Sequence, residues 1–485
     1  MSTNTSIIAR AVDGVLWKLS QNFSTTLVNF FLQTWLARLL LPEHYGIIAL
    51  TSVFITVSMV FIQTGFTASI IQKDTLSEIE IHSVFYTSVL FAIFLYSLIF
   101  IISPFLSSFY SEPLIKKVLR IQSISIIIAS LYSVPVSLIQ RNFEFRKTFL
   151  ASLLSSICQG SIGILLAIKG FGVWALVYAS LTYSFIYYLV IIYTTKWRPK
   201  LLFSFSSVKS LFSFSSKILL INLINTLFNN IKSLIIGKAY NSELLGYYSR
   251  GDQIPSLLMT NVDGAINAVT FPALSRFQND YSLLVQKLRR SLQVSIYFVW
   301  PAMIGLVVVS KPLIILLFTE KWLLSVPFII LTAINCMYWP FSVFTHAINA
   351  VGKSGLALKL NILSKCIALL LMLLSYKYGI LYFVGSSIIS SLISISITIN
   401  VASRILVFRV FDIVKDSLPT LIVSLGMGFF VYIASYIPVS ILPRLIIQII
   451  TGVLFYLFFT WILNFPSFLF VRAYFKMKFI RGYNK

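Results

Sequence analysis

Apolar residues come in stretches of about twenty, the length at which a helix crosses a hydrocarbon core of about 30 Å. Such stretches lie near 15–40, 45–70, 82–106, 118–139, 149–168 and 172–194. The pattern then restarts near 217–238, 248–274, 290–310, 323–349, 357–376 and 380–402, and closes with a further pair near 417–438 and 443–464. A chain that buries its backbone in lipid must satisfy every N–H and C=O within its own helices, so these stretches predict an all-α membrane protein with about 14 transmembrane helices.

The restart is an internal repeat. Laid without a gap over the segment two hundred positions earlier, Ser216–Arg250 matches Leu19, Asn22, Thr26, Leu27, Asn29, Glu43 and Gly46 with Leu219, Asn222, Thr226, Leu227, Asn229, Glu243 and Gly246. Farther on, Pro104 and Glu112 match Pro312 and Glu320. Six helices per copy means both copies insert with one orientation, the geometry of parallel transporter repeats. The predicted organisation is an N-lobe over 1–205 (spans one to six), a C-lobe over 206–410 (spans seven to twelve), and 411–485 holding two extra helices and a basic tail. The connection from Lys196 to Ser216 contains an amphipathic piece expected to lie on the cytoplasmic surface.

Composition sharpens the class. With 58% hydrophobic and 11% charged residues the chain lies far outside the range of soluble domains. A net charge of +24 would suggest nucleic acid in a soluble protein; in a membrane protein the basic residues serve topology, and no nucleic-acid partner is expected. Arg141, Arg146 and Lys147, then Lys196, Arg198 and Lys200, then Arg276, Lys287, Arg289 and Arg290, and finally Arg472, Lys476, Lys478, Arg481 and Lys485 fall on one side, which places both termini in the cytoplasm. The polar start predicts an uncleaved first helix. No loop is long enough for a soluble catalytic domain, and no paired carboxylates or Ser/His/Asp set stands out, so no enzyme and no cofactor are expected. Cys158, Cys336 and Cys366 share no ligand or disulfide spacing, and no metal site is expected.

Polar residues inside the spans carry the candidate chemistry. In the first span Lys18, Asn22, Thr25, Asn29 and Gln33 fall within an arc of about 80° at 100° per residue. In the seventh, Asn222, Asn225, Asn229, Lys232 and Ser233 occupy a comparable arc. Such stripes either line a water-filled cavity or hydrogen-bond neighbouring helices. A charge at mid-bilayer costs about 2.5–3.5 kcal/mol, so Asp263 in the eighth span and Lys365 in the eleventh need water or a partner. They are read either as a mutual pair or as a coupling site driven by a proton or sodium gradient.

Arg250 joins Lys18 and Lys232 as a candidate for anionic substrate, with snorkelling to headgroups the alternative for Lys18 and Arg250. Lys238 is expected to pair with Glu243 across a turn, as Arg38 with Glu43. Gly352, Lys353 and Ser354 resemble the end of a phosphate-binding loop, but Ala347 stands where that loop needs glycine, so they predict a plain turn. Trp322, Tyr338 and Trp339 suggest sugar stacking, but aromatics near helix ends normally anchor them at the membrane interface, and that is the role expected here.

The runs ARLLLPEHYGIIAL from Ala37, TGFTASIIQK from Thr64, FYSEPL from Phe109, QRNFEFRK from Gln140, GFGVWALV from Gly170, GKAYNSELLGYYSR from Gly237, FPALSRFQND from Phe271 and LFTEKW from Leu317 occur in order across the first 360 residues. Together they resemble the Wzx-type polysaccharide exporters of lipopolysaccharide biosynthesis. That family shares a superfamily with multidrug and toxin extrusion proteins and the lipid II flippase.

The resemblance implies a V-shaped pair of six-helix bundles around a cationic cavity. By alternating access it would move polyprenyl-diphosphate-linked oligosaccharide from the cytoplasmic to the periplasmic leaflet of a bacterial inner membrane, for O-antigen, capsule or exopolysaccharide synthesis. Lipids, a glycan polymerase and a chain-length regulator are the implied partners. Members of the family usually carry an acid before the lysine of the seventh helix, where this chain reads Asn230, Ile231, Lys232. The alternative is a multidrug or cation antiporter of the same superfamily, which would want acidic walls rather than basic ones.

Overall fold

The computed structural model describes residues 2–64, 67–73, 75–275, 277 and 280–469, without the side chains of 2–12, 15, 68, 213–214 and 261–275. The chain forms two compact units, Met1–Ser249 and Arg250–Lys485. The first contains α1 (Ser2–Leu39), α2 (Pro42–Thr64), α3 (Thr67–Gln72), α4 (Glu78–Tyr110), α5 (Pro113–Gln122), α6 (Ile124–Arg141), α7 (Phe145–Ile168), α8 (Val173–Thr195), α9 (Phe205–Ala239) and the first turns of α10 (Ser242–Ser275). The second contains the rest of α10, then α11 (Tyr281–Phe318), α12 (Val326–Cys336), α13 (Val343–Ala350), α14 (Ser354–Ser375), α15 (Ile380–Leu406), α16 (Val410–Ile433) and α17 (Ile441–Ile462). Among the described residues, twelve helical segments are long and apolar enough to cross a membrane by length and composition. The more polar α1 and α10, of 38 and 34 residues, are not among the twelve although long enough.

Among the described residues, the fourth spans of both repeats are interrupted. Between α5 and α6, Ser123 turns its hydroxyl onto the Arg120 carbonyl (3.2 Å) and Ser125 onto that of Gln122 (2.7 Å), local bonds that compete with the helical ladder. Between α12 and α13 the cause is Pro340, which has no N–H to give and whose ring crowds the carbonyl four residues back, at Cys336, where α12 ends.

In the first unit, α1 packs the half-buried Leu32 and the buried Leu36 against Gly160 and Gly163 of α7. The connection between the repeats is fastened rather than free. His82 stacks on Trp197 and accepts from the Lys200 N–H (3.2 Å), Lys200 Nζ reaches Glu78 (2.7 Å), and Ser83 accepts from the Ser204 N–H (2.8 Å). The amphipathic piece forms the first turns of α9, and its Val208 and Leu211 join Ile70, Val84, Phe85 and Val134 in a buried cluster. The apolar face found an internal partner, which sequence amphipathicity cannot tell from a bilayer.

Repeat symmetry becomes contact at Gly46 and Gly246. A Cβ on Gly46 would stand 1.6 Å from the Ser242 carbonyl oxygen, and one on Gly246 would stand 1.9 Å from the Pro42 carbonyl oxygen. The first turns of α2 and α10 therefore cross backbone on backbone, each helix presenting the same glycine of its repeat. Lys238, expected to pair with Glu243, instead donates to the Phe109 carbonyl and lies 4.4 Å above that ring, while Glu243 accepts from Tyr247 (3.2 Å). The end of α4 is closer at hand than the acid across the turn.

In the second unit α16 and α17, which have no counterpart in the first repeat, pack on α11. Tyr456 donates to the Tyr297 carbonyl (2.8 Å) within a cluster that includes Val423, Met427 and Val431. Arg289 grips Asp416 with two parallel bonds (2.7 and 3.0 Å). Because Arg289 is partly exposed, Asp416→Asn should cost only about 1 kcal/mol, between an exposed pair and a bidentate one. Thermal unfolding in detergent should show the loss, and Arg289→Asp combined with Asp416→Arg should recover part of it.

Candidate functional site

The second unit holds a cavity of about 530 Å³ at the interruption of its fourth span, lined by polar side chains set among apolar ones. Irregular backbone at that depth is tolerated where it is buried in protein or lines a cavity. Here it does the latter: Cys336, Tyr338, Trp339, Phe341 and Ser342 form one wall. The carbonyl released at Met337 is taken up by the indole N–H of Trp300 on α11 (2.8 Å), and the ring of Trp300 is buried. The break is thus held by a specific donor, as a buried carbonyl requires.

Two more walls come from α14 and α15. On α14, Asn361, Ser364 and Lys365 follow at i, i+3 and i+4, so all three share one face. On α15, Ser390, Ser391, Ser394 and Thr398 repeat at the same spacing. From α10 come Asp252 and Ser256; the Asp252 carboxylate accepts from Thr332 (3.2 Å) and Ser256 (3.4 Å), and Ser391 donates to Asn335 (2.9 Å). One cation, one carboxylate, amides and hydroxyls therefore line a single space within one unit.

Of the residues singled out from sequence, the structure brings Lys365 to this cavity. The side chain of Asp263 lies outside the described residues. Arg250 is not among the lining residues; it is 6% exposed and donates to Gln253, so it does not snorkel to headgroups. In the first unit Lys18 and Asn22 are exposed, Lys18 reaching Gln21 (3.3 Å), while Asn29 and Gln33 are half-buried. On α9 Asn225 and Asn229 are exposed, and Asn222 and Lys232 half-buried. The aromatics change role: Trp322 is fully buried, and Tyr338 and Trp339 line the cavity in mid-span rather than anchoring helix ends. Asp252, Asn335 and Asn361 were missed, although the Asn361, Ser364, Lys365 face was readable from its helical spacing.

Comparison with known proteins places the chain in a family. The family model described as "Polysaccharide biosynthesis protein" matches residues 35–327, more than half of the chain. The chain belongs to that family. Relatives include the succinoglycan biosynthesis transport protein ExoT of Rhizobium meliloti, 26% identical over 341 residues covering 70% of this chain and 69% of that one. The teichuronic acid biosynthesis protein TuaB of Bacillus subtilis is 23% identical, covering 68% of each chain, and the lipopolysaccharide biosynthesis protein WzxC of Escherichia coli is 24% identical, covering 66% of each. Among solved structures, the lipid II flippase MurJ in an inward closed conformation superposes with a TM-score of 0.74 over 93% of this chain and 98% of that one, at 18% identity. The family member thus has the helical membrane-transporter fold that its repeats predict.

Proposed function

We propose that this protein is a flippase that carries polyprenyl-diphosphate-linked oligosaccharide from the cytoplasmic to the periplasmic leaflet of a bacterial inner membrane. Counting α1 and α10, it would cross fourteen times, with both termini cytoplasmic. The observation that carries the reading is the family match over 35–327 in a chain whose relatives include named transport proteins of glycan synthesis. The cavity at the interrupted span is in keeping with it, since transporters place ligand and ion sites at broken helices.

In this reading Lys18, Lys232 and Arg250 serve the diphosphate, and Asn22, Asn29, Gln33, Asn222, Asn225 and Asn229 serve the sugars. The two repeats are N-lobe 1–205 and C-lobe 206–410, and the prenyl chain stays in lipid. Asp263 and Lys365 are the candidates for coupling to a proton or sodium gradient, which can drive transport only by binding two conformations unequally. A glycan polymerase and a chain-length regulator would act on the delivered product. Deleting the gene should leave the lipid-linked repeat unit inaccessible to a periplasmic probe and strip the surface glycan. Unchanged surface glycan together with raised drug sensitivity would favour an antiporter instead.

A further inference from the structure

The walls of the second unit's cavity discriminate among ligands by which groups they have left to offer. The hydroxyls of Ser364, Ser390 and Thr398 donate to the carbonyls of Leu360 (2.9 Å), Ser387 (2.9 Å) and Ser394 (2.8 Å) on their own helices. Ser391 donates to Asn335, and Thr332 and Ser256 donate to Asp252. These donors are spent and each hydroxyl oxygen can still accept, while Ser342, Thr345, Ser394 and Asn361 of the same lining keep donors to offer. A wall that offers acceptors beside donors suits a guest whose groups both donate and accept. A phosphate or carboxylate brings acceptors alone, and a cationic guest would meet Lys365 in the same space.

A guest with many hydroxyl donors and no net charge meets both demands, and the cavity adds a third. The Trp339 ring, 40% exposed, presents an apolar face beside these acceptors. A pyranose has hydroxyls at its rim and C–H groups on its faces, so it can lay one face on the indole and turn its rim to α14 and α15. The volume of about 530 Å³ lies within the range of small-molecule pockets, about 300–1,000 Å³. It holds one or two sugar rings but not a longer repeat unit.

We propose that this cavity is a pyranose subsite, taking one sugar of the transported glycan with Trp339 as its platform and the α14–α15 hydroxyls and Asn361 as its hydrogen-bonding groups. The proposal rests on the flippase reading for the origin of the sugar, not for the chemistry of the site. The test uses full-length protein in lipid nanodiscs titrated with methyl glycosides of glucose and galactose, with methyl glucuronide as the charged control and sorbitol as the acyclic polyol control, observed by ligand saturation-transfer NMR. At least one neutral methyl pyranoside should bind in preference to sorbitol and the glucuronide, and Trp339→Leu should weaken it at least tenfold. Trp339→Phe, which keeps a ring, should retain most of the binding.

Equal signals for sorbitol and every pyranoside would overturn the subsite, as would binding unaffected by Trp339→Leu in a protein that elutes as a monodisperse peak. The two readings fail separately. Normal surface glycan in the deletion strain removes the flippase reading, whereas a deletion phenotype combined with no pyranoside binding removes only the subsite.

Discussion

Gly46→Leu and Gly246→Leu should each reduce glycan export at least tenfold while leaving the amount of protein in the membrane unchanged. Both glycines sit where the first turns of α2 and α10 touch through their backbones, and even a methyl group would stand 1.6–1.9 Å from a carbonyl oxygen of the other helix. Overpacking a tight contact costs about 1–3 kcal/mol. A penalty of that size on one conformation shifts its population about 5- to 150-fold. In the proposed orientation the crossing lies at the periplasmic face, so the substitutions would hold that face from closing and break the cycle. Gly305→Ala is the control, because the nearest atom to its new Cβ is 3.7 Å away. Export would be followed by surface-glycan labelling and abundance by immunoblot; wild-type export from both leucine variants would show that the crossing does not open during transport.

Trp300→Phe is the second substitution with a large expected effect, although the ring is nearly conserved. It removes the N–H that holds the Met337 carbonyl at the broken span and leaves that carbonyl without its donor. An unsatisfied buried polar group costs about 1–3 kcal/mol, and here the loss falls on the segment that shapes the cavity. We expect a lower unfolding temperature in detergent and at least a tenfold fall in export. Trp300→His, which can restore an N–H, should recover part of both. Equal stability of wild type and Trp300→Phe would mean that the indole bond does not hold the break.

Much of this architecture was legible in sequence because lipid imposes a simple demand. Runs of apolar residues near the required length gave helices close to their observed positions, and matched residues two hundred apart revealed the repeat before any contact between its glycines was known. The break at Met337–Ser342 was not legible, since hydropathy continues across it and helices tolerate proline elsewhere: Pro104, Pro135, Pro301, Pro312 and Pro419 all lie inside continuous helices. Without the break, Tyr338 and Trp339 read as interface aromatics. Lys365 was visible because a lysine amid apolar residues demands an explanation. Asp252 was not, because it lies near the start of a polar helix, where a carboxylate looks unremarkable. Nor does a sequence say which half a connecting segment packs on.

The docking of that segment bears on how the protein is made. Val208 and Leu211 complete a cluster whose other members come from α3, α4 and α6, so the first half is not finished when its sixth span leaves the ribosome. It waits for the opening turns of the seventh. A gene divided for co-expression should therefore give a stable amino-terminal fragment when cut in the connection after α10, and an unstable one when cut at Lys196.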